Sequence, residues 1–240
     1  MNSAAPKIGF DRFIHIDWVT TALKVRAGTV SKEELAELLV NAGLSLEARK
    51  KTRTVLNRLW LEPRPELAEF ADRGVQIYKT NPESSVPALS WGMAIATYPF
   101  FGKVAELVGR LSALQGDCTS AEVHRRMSEI YGEREGTYRM TNMVLQSQAS
   151  WGAIERAEKG NRIIRRPPIA LTNDQAVTWL IEAVIDYTGS PVSLSTLQTM
   201  AVIFPFKLNQ PLSYLVSTNS KLEMRSEGAG NLFVTLREAI

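Results

Sequence analysis

Residues 118–168, CTSAEVHRRMSEIYGEREGTYRMTNMVLQSQASWGAIERAEKGNRIIRRPP, decide the fold. Thr119 and Glu122 stand three apart ahead of an apolar stripe of Val123, Met127 and Ile130, the spacing of a capping box that opens an amphipathic helix. After the polar turn GEREG, a second helix is expected over about 137–150. GAIERAEKGNRIIRRPP then reads as two short strands around the turn EKGN, because its residues alternate. A further amphipathic helix, through Val104, Leu107, Val108 and Leu111, ends at Gly116 just before the segment. The order helix, helix, helix, basic hairpin is that of a winged helix.

Helical geometry divides the 137–150 segment into two faces. At about 100° per residue, Met140, Val144 and Trp151 fall on one side, and Arg139, Asn142 and Gln146 on the opposite one. Arg donates two hydrogen bonds to guanine, and Asn or Gln pairs with adenine, through the major groove. Lys159, Arg162, Arg165 and Arg166 on the hairpin suit phosphates or a minor groove, and Arg125 and Arg126 on the middle helix join them as candidate DNA contacts. The same pattern also fits a winged helix that contacts protein, or an ordinary polar surface.

Upstream, a similar unit is expected. Residues 12–27 read as an opening helix, with Ile16, Val19, Leu23 and Ala27 at helical spacing. In SKEELAELLVNAG, Ser31 and Glu34 form a capping box, Leu35, Leu38 and Leu39 the buried stripe, and Gly43 the stop. EARKKTRTVLNRLW, residues 47–60, follows with five cations in fourteen residues. Its apolar side is Val55, Leu56, Leu59 and Trp60, while Arg49, Lys50, Arg53 and Asn57 share another. Two helices joined by a short glycine turn, the second basic, suit a helix-turn-helix that meets phosphates, or a solvated bundle surface.

Pro63 and Pro65 break the chain, and NPESSVP, residues 81–87, reads as another break. The nineteen uncharged residues 84–102 contain Pro87, Pro99 and several hydroxyls, so they fit a buried central helix better than a membrane span. Beyond Pro167, ALTNDQAVTWLIEAVIDYTG reads as a helix capped by Thr172 or Asn173, with Val177, Leu180, Ile181 and Val184 inside. SLSTLQTMAVIF and PLSYLVSTN suggest two further helices, and LEMRSEGAGNLFVTL a closing hairpin.

The net charge of the 240 residues is only +3, so its distribution matters more than its sum. Residues 1–80 carry 13 cations and 10 acids, 103–166 carry 11 and 8, and 167–240 carry 4 and 6. A polyanion is expected to meet the first two-thirds, and a protein partner the last. The single Cys118 rules out an intramolecular disulfide and suits a reducing cytoplasm, and the N-terminus lacks the apolar core of a signal peptide. His15 and His124 are the only histidines, and no HExxH, paired CxxC, calcium loop, phosphate loop, GxGxxG turn or GxSxG elbow occurs. Cys118, just before a helix cap, lacks an identifiable base. No cofactor and no catalysis are expected.

GTVSKEELAELLVNAGLSLEARKKTRTVLNRLW followed by LEPRPEL, with YPFFGKVAELVGRL and EGTYRMTNMVLQSQASWGAIE, resembles the BrxA family of the BREX bacteriophage-defence systems. The resemblance covers roughly residues 25–155, and the acidic C-terminal third lies outside it. It implies a helical N-terminal part, a winged-helix-like portion, DNA binding and a place in phage defence. The expected chain is therefore mainly α, with tandem helix-turn-helix or winged-helix units and short hairpin wings. Its expected divisions are a helical domain over 1–80, a central helix with a winged helix over 81–167, and a winged-helix-like domain over 168–240. The expected role is double-stranded DNA binding without chemistry, in the cytoplasm, with other defence proteins meeting the C-terminal domain. A transcription regulator and a protein–protein adaptor are the rival readings.

Overall fold

Asn81–Pro82 opens a helix where a break is expected. Proline is well suited to the first helical position, where its missing N–H costs nothing, and α5 (Pro82–Thr97) continues through Pro87. Ala88, Leu89, Trp91, Met93, Ala94 and Ile95 are all buried, so α5 is the apolar centre that the sequence requires. The computed structural model describes residues 9–228 and 230–237. Of these, 64% are helical and 13% lie in strands, a mainly α chain. Among the described residues no helix is long and apolar enough to cross a membrane.

The N-terminal part consists of α1 (Ile16–Ala27), α2 (Lys32–Asn41) and α3 (Leu46–Leu56). The Ser31–Glu34 capping box forms with both of its hydrogen bonds, at 3.0 and 3.1 Å. α3 runs into one π-helical turn, Asn57–Leu61, that buries Leu59 and Trp60. Arg26 donates to the Trp60 carbonyl at 2.8 Å and bonds Asp72 at 2.8 Å, fastening this turn to α4 (Ala68–Thr80). α6 (Pro99–Gln115) follows α5 after Tyr98, with Pro99 again at a helix start.

Three short strands surround the next helix pair. β1 (Asp117–Thr119) precedes α7 (Ser120–Tyr131) and α8 (Glu135–Ser150), and the hairpin of β2 (Ile154–Ala157) and β3 (Arg162–Arg165) follows. The sheet is antiparallel in the order β1-β3-β2, with Cys118 opposite Ile163 and Arg156 opposite Ile163 on the other side. The Thr119–Glu122 capping box forms, at 2.8 and 3.1 Å. Val123 and Met127 are buried as expected, but Ile130 is 44% exposed, because the core side of α7 is completed by Tyr131 instead.

The last third opens with β4 (Ile169–Leu171) and α9 (Asp174–Thr188), capped by Asn173, whose Oδ1 accepts from the Ala176 N–H at 2.8 Å. SLSTLQTMAVIF does not form the expected helix. Beyond β5 (Val192–Ser193) it folds as two 3-10 turns, Leu197–Thr199 and Ala201–Ile203, before β6 (Phe206–Leu208) pairs in parallel with β4. PLSYLVSTN forms α10 (Leu212–Thr218), and the closing hairpin is β7 (Leu222–Glu227) and β8 (Asn231–Leu236).

A single buried cluster runs from Phe10 to Val234 and includes residues of all three expected divisions. Trp91 sits edge-on to Phe101, Trp151, Phe204 and Phe206, and its Nε1–H donates to the Val202 carbonyl at 2.9 Å. Trp179 of α9 stacks on Phe70 with ring centres 4.0 Å apart. Gly92 and Gly109 permit this closeness: a Cβ on the first would overlap the Trp179 ring, and one on the second the Ala201 carbonyl. Pro167 and Pro168 lie between β3 and β4, and packing continues across that point.

Candidate nucleic-acid interface

α8 is held from behind by the main chain of two residues, Ile14 and Ile16. The Ile14 N–H donates to Ser147 Oγ at 2.9 Å, and Trp151 Nε1–H donates to the Ile14 carbonyl at 2.9 Å. The Ile16 N–H adds a bond to Ser150 Oγ at 3.1 Å. Val144, Leu145 and Trp151 are buried, with Met140 packed against the core, and Arg139 is exposed while Asn142 and Gln146 are half-buried. The two expected faces of α8 are therefore present. Tyr138, which the sequence reading did not single out, adds an aromatic ring 60% exposed.

Period-two alternation puts Ile154, Arg156, Ile163 and Arg165 on one face of the hairpin, the face that meets the helices. Arg156, also not singled out from sequence, reaches α8 from there. Its Nη2 donates to Asn142 Oδ1 at 2.8 Å and to the Gly160 carbonyl at 3.3 Å. An arginine only donates, so this bond fixes the Asn142 amide with its oxygen toward the hairpin and its NH2 turned away. The expected bidentate pairing with adenine needs oxygen and nitrogen presented together. With Oδ1 held, Asn142 offers mainly donors, which suit guanine O6 and N7 or thymine O4.

Beneath Arg156 lies His124, 8% exposed, with its ring centre 4.0 Å from that of Tyr138. Burial, reinforced by the Arg156 charge, lowers its pKa to about 4, so at neutral pH it is an uncharged platform for Tyr138. Burial of the Arg156 guanidinium lowers its pKa as well. Cys118 is buried in β1, and desolvation, with Glu122 and Asp117 adding to it, pushes the thiol up to about 12. It is a packing residue rather than a thiolate at neutral pH.

The hairpin cations divide sharply. Arg165 faces inward, donates to the Phe204 carbonyl at 3.0 Å and lies over the Phe204 ring, so it anchors the C-terminal third and is not available to a phosphate. Arg162 pairs with Asp117 across the sheet. Arg125 and Arg126 share Glu129, at 2.9 and 3.3 Å. Arg139, Lys159 and Arg166 are exposed and have no side-chain partner among the described residues.

Lys159 is set at the hairpin tip by an unusual backbone. Glu158 and Lys159 both take positive φ, 51° and 57°, which costs non-glycine residues about 1–3 kcal/mol each. The tip is fastened to the start of α7. Ser120 Oγ donates to the Gly160 carbonyl, and the Ser120 N–H donates to the Asn161 carbonyl at 2.8 Å.

The first basic segment is placed differently. Val55, Leu56, Leu59 and Trp60 are buried as expected, and Arg49, Lys50 and Arg53 lie on the other side of α3. These three cations lie together on that side. They border an apolar groove between α2 and α3. Among the described residues no group of three or more His, Cys, Asp or Glu side chains is gathered as a metal site would require. No known protein family, curated protein or solved structure matches the chain.

Proposed function

We propose that α6, β1, α7, α8 and the β2–β3 hairpin constitute a winged helix that binds double-stranded DNA without doing chemistry on it. The observation that carries this reading is the combination of topology and free charge. Helix, strand, two helices and a hairpin close one sheet in the order β1-β3-β2, and Arg139, Lys159 and Arg166 stay unneutralised on its helix and wing. In this reading α8 enters the major groove, with Arg139, Asn142 and Gln146 at base edges. Lys159 at the wing tip and Arg166 at its base hold phosphates, and Arg125 and Arg126 contribute weakly because Glu129 offsets them.

Following the resemblance to the BrxA family, we place this binding in a bacterial phage-defence assembly in the cytoplasm. A transcription regulator would use the same surface. A protein adaptor is favoured by one observation, that Arg162 and Arg165 are already engaged within the fold. The test is fluorescence anisotropy with several unrelated labelled duplexes across a salt series. Affinity falling steeply with salt on every duplex supports DNA binding, since each neutralised phosphate adds about 0.9 to the logarithmic slope. No binding at low salt would overturn it in favour of the adaptor.

A further inference from the structure

We propose that the groove between α2 and α3 docks an acidic amphipathic helix of a partner protein. α2 and α3 each lean on α1 and make little contact with one another, which leaves a channel of about 280 Å3. Leu35, Leu39, Leu46 and Leu61 line it, and Leu46 is 61% exposed. Val40 beside them is 50% exposed. Leu35 and Leu39 form its buried floor, and Leu46 and Val40, left open at its edges, mark a contact surface rather than a solvated one.

The charges around this floor all have one sign. Lys32, Arg49, Lys50 and Arg53 line the same groove, and none of them has an ion pair among the described residues. No acid is among the described residues that line the groove; on the same two helices Glu34 closes the α2 capping box, and Glu47 pairs with Lys51 at 2.6 Å. Arg49 in addition has a buried Nε with no hydrogen-bond partner. The lining thus sets cationic side chains beside an apolar trough.

The chemistry selects the occupant. A DNA backbone answers the cations and leaves the leucines without a counterpart. A neutral apolar segment does the reverse. A helix with apolar residues at i, i+3, i+4 and i+7 and carboxylates along both flanks answers both at once. Its length also fits, because helices of 10 and 11 residues are each about 15–17 Å long, three turns of a helix laid beside them. The site is independent of the DNA reading, which uses α8 and the hairpin.

The experiment uses the full chain and a fluorescein-labelled synthetic helical peptide with leucines at those positions and glutamates flanking them. Two control peptides carry Lys for Glu and Ser for Leu. The acidic leucine peptide is expected to bind, with both controls at least about tenfold weaker. Arg49→Glu with Arg53→Glu, and separately Leu46→Ser, should each weaken it about tenfold or more, with the melting temperature and duplex affinity unchanged. Equal binding of the controls, no binding of the acidic peptide, or indifference to both variants overturns the proposal. Charge reversal that spares the peptide and abolishes duplex binding assigns the cations to DNA. Concentration-dependent dimerisation lost in Leu46→Ser assigns the groove to a second copy of the chain, and also overturns it.

Discussion

Ser31 with Glu34 and Thr119 with Glu122 close the same reciprocal capping box, and each box opens a helix followed by a turn and a cation-bearing helix. Behind α8, the Ile14 main chain, Trp151 and a three-stranded sheet hold the helix in place. Among the described residues α3 packs on α1 and the π turn rather than on a sheet, with an open apolar channel on its other side. The difference teaches that a basic helix is not assigned by its charges. What neighbours the charges decides: polar side chains and a cationic wing in one pair, exposed leucine and valine in the other.

The comparison breaks most completely if the α7–α8 unit stands without the C-terminal third. Truncation after Pro168 removes Trp179 from Phe70, and Phe204 and Phe206 from Trp91. We expect the fragment to lose cooperative thermal unfolding in circular dichroism. A fragment that melts cooperatively and keeps duplex affinity would restore the C-terminal third as a separate body.

Trp151→Ala tests the backing of α8 in the intact chain. It deletes a nearly buried ring and its bond to Ile14, for an expected loss of about 3–5 kcal/mol in urea unfolding. Leu46→Ala, on the open side of the other pair, should stay within about 0.5 kcal/mol of the parent. Equal losses would erase the distinction between the two pairs.

Much of this arrangement was legible in the sequence. Both capping boxes, the hairpin around EKGN and the uncharged central helix follow from local spacing, and the structure has them. SLSTLQTMAVIF, residues 193–204, reads as a helix, but the chain here is held by long-range pairing that no local pattern shows: β5 pairs with β8, and β6, just beyond the segment, with β4 more than thirty residues upstream. β1 is three residues long and its partner β3 lies beyond two helices, so no local pattern announces it. The prolines of NPESSVP suggest a break, although Pro82 stands where proline starts a helix. In the candidate site, Arg156 and Arg165 could have been found. Alternation from Ile154 and Ile163 places both on the inward face, where an arginine must find acceptors.

Base preference sharpens the assignment of α8. Arg139→Ala should reduce discrimination at one base pair by about 1–3 kcal/mol, read by competition with base-substituted duplexes. Arg156→Met should free the Asn142 amide and shift preference at a neighbouring position toward adenine. Uniform weakening on every duplex would mean that α8 does not read bases. A modest and symmetrical effect is expected at the caps: Ser31→Ala and Thr119→Ala should each cost about 1 kcal/mol in thermal or urea unfolding. A much larger loss at Thr119 would show that its place in β1 outweighs its cap.

The central claim is that α8 and the hairpin, not α3, hold DNA phosphates. The direct measurement is the salt dependence of duplex affinity for the parent chain, for Lys159→Ala with Arg166→Ala, and for Arg49→Ala with Arg53→Ala. Each lost phosphate contact lowers the magnitude of the logarithmic slope by about 0.9. The wing pair should therefore lower it by nearly two, and the α3 pair should leave it at the parent value. A slope unchanged by the wing pair and reduced by the α3 pair would contradict the account.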